Sequence, residues 1–533
     1  MTYKYILHIP VISQIYFYLK SKFLHKHNIN NNLDIIEEID IETETKYRTF
    51  NGTNNDLLCP YIGSSGQPFG RNTFICKKNI NNPPIKLVAE TLLHRTQFKE
   101  EKLVNLLGGA WIQFMIHDWF DHEKDMTKTI KINEMEINPF RTNDSMFYNG
   151  QDHWWSGSQI YGINIEQSKK LYDNATGKMK LDKEYLNIDS KTEMEDVGIS
   201  KNLWFGLSMM HYIFILEHNY LIDKLKELNP SWDSSKLYNH ARLIITALIC
   251  KIHTVEWTTS IIQNFNGVWN QNFLLYGFFG KTLKNKIPHI SNSLNGKLSG
   301  TNEEPYNIFA HTEEFNTVYR MHSLIPDTIT IKSLDKKQDI TYNTIDTALY
   351  NSKIINTTHT KEDIIYSLCS QKAGKLCLNN FPKTLTNFNG LDLSQLDIYR
   401  TRECKIPRYN DIRRSLSLKP IKSFSDLTNN VEEIKKLNKV YNNDVELLDF
   451  LVGVHAEEKL PDFIFGETVY TIFIIQTTRR IESDRFLTTD LNEKVYTTFG
   501  YNYIFNTTFK EILIKHFPKL KNVLTNDNPF KPL

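Results

Sequence analysis

Gly108-Gly-Ala-Trp-Ile-Gln-Phe-Met-Ile-His-Asp-Trp-Phe-Asp-His122 is an apolar run punctuated by one glutamine, two histidines and two aspartates. At about 100° per residue, Gln113 and His117 fall about 40° apart on one helix face. His117 and His122 are about 140° apart, a poor arrangement for holding one ligand together. The four-residue spacing of an HExxH zinc site is not met here. Taken alone, a histidine among aromatic and aliphatic neighbours is more often a satisfied core residue than a ligand or base. The periodicity predicts a buried helix inside a longer amphipathic segment, Leu92–Asp121.

Outward from it, Leu203–Leu228, Ser235–Gln263, Val445–Val454 and Gly466–Asp484 repeat apolar residues at three and four, the period of an amphipathic helix. Strand-like alternation is scarce, the best case being Thr328–Lys332 followed by Asp339–Tyr342. The 533 residues admit three ordinary domains or one large one, and no repeat or interior linker divides them. The predicted organisation is mostly α, with a single large helical domain at 56–520 and few short strands. An N-terminal helix and loop extension precedes it at 1–55, and a polar tail at 521–533 is expected to fray.

Composition excludes several functions. Lys and Arg number 63 against 61 Asp and Glu, a net charge of +2 with the signs well mixed. A nucleic-acid binder needs a basic face, so no nucleic-acid partner is expected. The cysteines, at 59, 76, 250, 369, 377 and 404, form no short-spaced pair. They read as reduced thiols rather than a disulfide scaffold or a zinc knuckle. No apolar run reaches the roughly 18–20 residues of a transmembrane helix. The most membrane-like stretch, Tyr3–Leu19, is interrupted by Lys4, His8 and Gln14, and no small-residue cleavage site follows it. It reads as a first helix packed on the domain or as an interfacial helix.

Two further segments bear chemistry. In Glu313-Glu-Phe-Asn-Thr-Val-Tyr-Arg-Met-His-Ser-Leu-Ile-Pro-Asp327, Tyr319 and His322 fall on one side of one helical turn ahead of Pro326. A neutral imidazole is a common axial ligand of haem iron, and a phenol one turn away is placed to exchange an electron with that haem. A core tyrosine and a capping histidine account for the same residues. In Asp152-His-Trp-Trp-Ser-Gly-Ser-Gln-Ile-Tyr-Gly162, Asp152, Trp154, Ser156 and Ser158 recur at every second position. In an extended loop their side chains or carbonyls face one ion, and calcium wants several oxygens with carboxylates among them. Asp118 would complete that set; a polar loop anchored by two tryptophans is the plainer reading.

The pairing of a Gln113-x-x-x-His117-Asp118 helix with a later Tyr319-x-x-His322 resembles the animal haem peroxidase and cyclooxygenase superfamily. The strings Trp111-Ile-Gln-Phe-Met-Ile-His-Asp-Trp119 and Tyr319-Arg-Met-His-Ser-Leu-Ile-Pro-Asp327 resemble one branch of it, the fatty-acid alpha-dioxygenases. The similarity continues through Glu217-His-Asn219, Ile252-His-Thr-Val-Glu-Trp-Thr258, Lys405-Ile-Pro-Arg-Tyr-Asn410 and Thr478-Arg-Arg-Ile-Glu-Ser-Asp-Arg-Phe486, covering residues 85–520.

The resemblance implies a haem-peroxidase-like domain with haem b and calcium. It implies His322 as the proximal iron ligand, His117 as the distal histidine with Gln113 beside it, and Tyr319 as the radical site. Asp118, Asp152, Trp154, Ser156 and Ser158 become the calcium ligands. His253, Thr258 and Arg480 become the anchor of the substrate carboxylate, with Arg479 and Arg485 as rivals of Arg480 if the helix is phased differently. A guanidinium offers a carboxylate a bidentate fork, and an anchor near Tyr319 presents carbon 2 rather than a mid-chain carbon. His253 and Thr258 lie about 140° apart on an ideal helix. A shared ligand therefore needs a distorted helix or a position between their faces.

Three departures from the relatives bear on these expectations. Ile116 stands where mammalian-type peroxidases carry an aspartate esterified to haem, so the haem is expected to be non-covalent. In the calcium loop, usually Thr-x-Trp-Trp-Asp-x-Ser, Asp152 and Ser156 exchange roles, which keeps the carboxylate count and changes the geometry. The cysteine-rich N-terminal module of cyclooxygenases is absent, which removes the expectation of stable monotopic membrane insertion.

The expected activity is oxygenation of long-chain fatty acids by O₂ at carbon 2 through a tyrosyl radical, giving 2-hydroperoxy acids. The alternatives are a conventional haem peroxidase using hydrogen peroxide and a non-catalytic adhesion protein on the same scaffold. The expected location is intracellular, with peripheral contact to a membrane or other lipid surface.

Overall fold

Helices dominate the order of elements, and each of the site's parts sits near a helix end. A computed structural model describes residues 16, 41–76, 82–143, 145–182, 185–201, 203–264, 267–268, 310–335, 338–347 and 352–533. The stretch Tyr3–Leu19 lies outside these residues apart from Tyr16.

Asn105 starts the first long helix. Its side-chain oxygen accepts from Gly108 N at 3.1 Å, the short polar cap that satisfies an orphan N–H of a first turn. Helix α1 then runs Leu106–Trp119. The expected single helix over Leu92–Asp121 is therefore broken: Glu100–Asn105 is a strand, antiparallel to Lys372–Gly374. Lys99, Glu100, Glu101 and Lys102 give that stretch no apolar stripe to carry a helix through it.

Helix α2 spans Phe205–Leu228 and α3 spans Ser234–Lys251. Phe214 of α2 stacks on Phe114 of α1 at 5.5 Å and meets Trp111 at 5.8 Å. From α3 the chain continues through one wide π turn, Ile252–Trp257, into the short helix Thr258–Ile261. Helix α4, Glu313–Val318, is capped by Thr312; α5, Leu393–Glu403, by Asp392. Helix α6 runs Glu467–Ser483, close to its expected bounds, while Val445–Val454 splits into a 3-10 turn and the helix Phe450–Ala456. The remaining sheets among the described residues are two-stranded. One is the expected hairpin, Thr328–Ile331 against Ile340–Asn343. No helix of the described residues is long and apolar enough to cross a membrane.

Both ends of the described chain are bound into the body. Segment 41–55, part of the expected helix and loop extension, is irregular but docked on the body: Arg48 pairs with Asp484 at 2.9 Å, both buried. Arg242 of α3 donates to the carbonyls of Arg48 and Thr49, at 2.9 Å each. The expected fraying tail is corrected. Phe530 is fully buried against Trp111 and Phe509, and Asn105 Nδ2 donates to the carbonyls of Pro529 and Lys531. An aromatic anchor holds a segment whose polar residues alone argue for disorder. Phe530→Ala should lower unfolding stability by about 3–5 kcal/mol, seen as an earlier urea transition. An unshifted transition would mean the tail is not docked.

Candidate active site

Helix α1 carries the first group of residues. Trp204 Nε1 donates to Gln113 Oε1 at 2.7 Å, which fixes the amide one turn before His117. Burial lowers the His117 pKa to about 4, so its imidazole is neutral, and Nδ1 has no hydrogen-bond partner among the described residues. At Gly109, two turns before His117, an added Cβ would already meet Leu324 at 3.8 Å. The turn bearing His322 thus packs on the helix bearing His117.

Tyr319 and His322 do not share one helical turn, contrary to the sequence expectation. Helix α4 stops at Val318; Tyr319 caps it at φ −86°, ψ 4°, and His322 opens a separate 3-10 turn through Leu324. The turn is pinned from outside. Arg95 Nη2 donates to the carbonyls of Ser323 and Ile325. Gly374 lies so close that an added Cβ would stand 1.9 Å from the Ser323 oxygen. Tyr319 is 2% exposed, its hydroxyl unpartnered among the described residues, within a cage of Trp119 at 5.3 Å, Phe315 at 4.6 Å and Phe473 at 6.2 Å. Burial raises its pKa far above the ordinary phenol value, although Arg480 opposes the shift. The group is therefore a neutral phenol.

His322 Nδ1 lies 2.8 Å from Asp397 Oδ2, and Arg320 Nη1 donates to the other oxygen at 2.7 Å. Burial alone would raise the Asp397 pKa, but His322 and Arg320 hold it below the usual range. A carboxylate on Nδ1–H fixes the tautomer and leaves the Nε2 lone pair able to ligate a metal, the outer interaction typical of metal-bound histidines. Asp397 escaped the sequence reading because it lies 75 residues from His322 on α5, and no local spacing ties the two together.

Of the residues expected to anchor a carboxylate, His253 and Arg480 meet around one indole. Trp119 contacts Tyr319, lies 5.1 Å from the His253 ring, and carries the Arg480 guanidinium 4.8 Å over its ring. Trp155 covers the other side of Arg480 at 4.5 Å. The π turn removes the spacing conflict between His253 and Thr258. In a π turn the bond runs from i+5 to i, and the Thr258 N–H bonds to the His253 carbonyl. The Thr258 hydroxyl also donates to that carbonyl, at 2.8 Å, so its hydrogen is committed to its own helix.

Trp111 Nε1 donates to His253 Nδ1 at 3.1 Å. Burial, with Arg480 nearby, drives the His253 pKa far down, so the neutral ring carries its proton on Nε2, which has no partner. Arg480 Nε donates to the His153 carbonyl at 3.0 Å and Nη2 to that of Trp154, while Nη1 is unpartnered. The fork is thus not wholly free: its side edge is spent on the loop, and its end remains for a ligand. The indole N–H groups of Trp119 and Trp155 are buried and unpartnered too; the sequence reading gave them only structural parts. Arg485 is turned elsewhere, bonded to Asp490 and to the carbonyls of Thr45 and Asn54.

The loop after Gly150 brings together four of the five expected calcium ligands. Asp118 accepts from Ser158 N and Oγ at 2.7 and 2.9 Å and from Ser156 Oγ at 3.4 Å. Asp152 Oδ1 caps Trp154 N, and Oδ2 is buried without a partner. Burial, then the neighbouring Asp118 charge, raises the Asp152 pKa to about 7. Two buried carboxylates, two hydroxyls and an orphaned oxygen fit a hard cation. The Trp154 carbonyl is already taken by Arg480, and its indole N–H donates to Gly52 O at 3.1 Å.

Residues 47–152 and 131–530 match the family described as animal haem peroxidase, a match that implies haem. The chain is 34% identical over 528 residues to alpha-dioxygenase PIOX of Oryza sativa subsp. japonica, covering 90% of this chain and 84% of that one. Its fold is similar to a crystal structure of fatty acid alpha-dioxygenase from Arabidopsis thaliana, at a TM-score of 0.91 and 31% identity, over 98% of this chain and 89% of that one. A tyrosine-to-phenylalanine variant of the Oryza sativa fatty acid alpha-dioxygenase, crystallised with palmitic acid, gives a TM-score of 0.90 at 31% identity, over 98% and 93% of the two chains.

Removing the Asp397 carboxylate should weaken haem retention about 10–100-fold, read from Soret titration of Asp397→Ala; unchanged retention would show that the carboxylate does not support His322. The loop carries a pH signature. With its pKa raised from 3.8 to about 7, Asp152 disfavours the folded state increasingly as pH rises through that window. Calcium should therefore raise the melting temperature more at pH 8 than at pH 5, and Asp152→Asn should erase the difference. A response equal at both pH values would rule out this carboxylate as a ligand.

Proposed function

Because the chain belongs to the animal haem peroxidase family, in its fatty-acid alpha-dioxygenase branch, we propose that it oxygenates long-chain fatty acids at carbon 2 through a radical on Tyr319. It is an oxidoreductase of peroxidase fold, and the product in this reading is the 2-hydroperoxy acid. His322 would hold haem b without a covalent link, with His117 and Gln113 also directed to it, and the bound haem would supply the one-electron oxidising power that Tyr319 requires.

The protein's own part is positioning and hydrogen transfer. The Tyr319 oxygen radical takes a hydrogen atom from carbon 2, and O₂ adds to the carbon radical. The peroxyl radical then recovers a hydrogen from the Tyr319 O–H, so the products are the hydroperoxide and the radical that began the cycle. His253 Nε2–H and the free end of Arg480 receive the carboxylate. Thr258 acts as a donor only if its hydroxyl leaves the His253 carbonyl. An apolar substrate of this kind also motivates contact with a lipid surface.

The observation that supports regiochemistry at carbon 2 is the Trp119 indole, which touches Tyr319, His253 and Arg480 at once. A carboxylate anchored one indole away from the tyrosine can offer it only the near end of the chain. The decisive assay is oxygen uptake by haem-loaded protein given palmitic acid, with the product identified by mass spectrometry. Palmitic acid has no bis-allylic hydrogens, so mid-chain oxygenation of the cyclooxygenase kind stays silent. Tyr319→Phe should abolish uptake while the Soret band remains. Wild-type uptake by that variant would refute the radical role, and haem-loaded protein that only oxidises dyes with hydrogen peroxide would be a conventional peroxidase.

A further inference from the structure

Three side chains with no part in oxygenation meet behind the site. His122 Nε2 lies 2.9 Å from Glu313 Oε2 and 3.8 Å from Cys404 Sγ. One donor atom from each of the three lies within 4.8 Å of the others. Their exposures are 8%, 2% and 2%. We propose that His122, Glu313 and Cys404 bind one thiophilic divalent cation of the zinc class, as a structural site.

The donor set is the mixed nitrogen, oxygen and sulfur set that zinc takes. With bonds of about 2.0–2.3 Å and tetrahedral angles, neighbouring ligand atoms stand about 3.3–3.7 Å apart. The His122–Cys404 separation of 3.8 Å is near that spacing, the His122–Glu313 separation of 2.9 Å is a few tenths of an ångström short of it, and the Glu313–Cys404 pair lies within 4.8 Å. A thiolate and a carboxylate together neutralise a dication, so the buried site carries no net charge. Glu313 Oε1 is buried and has no hydrogen-bond partner among the described residues, an unmet acceptor that a cation would satisfy. The His122 ring is clamped between Phe69 at 4.1 Å and Phe140 at 4.3 Å. Its Nδ1 faces the Asn316 amide at 3.2 Å. The amide turned to present its oxygen accepts Nδ1–H and leaves the Nε2 lone pair toward Glu313 and Cys404, the outer bond typical of ligating histidines.

Binding breaks the Cys404 S–H bond and forms a sulfur–metal bond; the proton leaves to solvent and no electron moves. Burial pushes the Cys404 thiol far above its ordinary pKa, so the proton stays until a metal displaces it. The three ligands come from three different parts of the active site. His122 follows α1, which carries Gln113 and His117. Glu313 opens α4, which ends at Tyr319, and Cys404 caps α5, which carries Asp397. One ion would tie these elements together at a point that touches neither haem ligand nor substrate anchor. The proposal thus goes beyond the oxygenase reading and does not depend on it.

The test incubates the haem-loaded protein with equimolar zinc, desalts it, and measures zinc and haem per chain by elemental mass spectrometry and absorbance. Zinc-edge X-ray absorption on the wild type reads the ligand shell without needing any variant to fold. The expected result is about one zinc per chain with one sulfur neighbour at about 2.3 Å and nitrogen or oxygen neighbours beyond it. Cys404→Ser should keep its haem and lose zinc about tenfold or more. Zinc below about a tenth of an equivalent, a shell without sulfur, or full zinc retention by Cys404→Ser would overturn the proposal.

Discussion

Arg480 is a cation held 2% exposed, with its nearest carboxylate oxygen 3.9 Å away, and the centre is arranged around the cost of that burial. Removing a guanidinium from water costs several kcal/mol unless its hydrogens and charge are answered. Burial lowers its pKa to about 10, with Asp118 and Asp152 opposing the shift. Two loop carbonyls, two indole faces and the more distant Asp118 answer it piecemeal. Among the described residues the compensation is incomplete by one donor, Nη1, and a carboxylate of the proposed substrate would complete it. The carbonyls that hold Arg480 belong to His153 and Trp154, inside the loop of Asp152, Ser156 and Ser158. The loop carboxylates and Arg480 are therefore one electrostatic unit, and a change at Asp118 or Asp152 is felt at the guanidinium.

The same logic explains the isolation of Tyr319. A buried hydroxyl without a partner costs about 1–3 kcal/mol, and a fold selected for stability alone would give it an acceptor. Enclosed by Trp119, Phe315 and Phe473, the phenol stays neutral and is not drawn into a competing hydrogen bond. What remains open to it is exchange of a hydrogen atom with whatever is placed beside it. Among the described residues the unpaired hydroxyl, the unpaired His253 Nε2 and the unpaired Arg480 Nη1 are each a local loss of stability, set around one indole, and one carboxylate can satisfy the last two.

Periodicity made the long helices legible: α2 and α6 fall within two residues of their expected ends, because their apolar residues recur without interruption. It failed where the chain changes register within a few residues. Glu100–Asn105 is extended because its partner strand, Lys372–Gly374, lies far along the chain. Tyr319 and His322 are split by a helix end that depends on packing against Arg95 and Gly374. Phe530 is fixed by aromatic neighbours more than a turn away in sequence. At the site, His117, Tyr319, His322 and Arg480 were visible as motifs. Asp397, Trp119 and the cluster of His122 with Cys404 were not, since their roles arise from distant segments converging.

The π turn shows how little backbone such a site needs to adjust. In a regular α-helix, His253 and Thr258 would point about 140° apart, and the imidazole could not face the pocket while the threonine capped the same turn. Widening one turn by a single residue stacks the two on one face, a distortion found often at functional positions. The cost is a poorer backbone ladder over Ile252–Trp257. The return is that Trp111 can bond His253 Nδ1 from one side and leave Nε2–H aimed away from it. The tautomer is then set by a neighbour on α1, the helix that also carries His117. One packed contact thereby ties the His253 donor to the helix that carries His117.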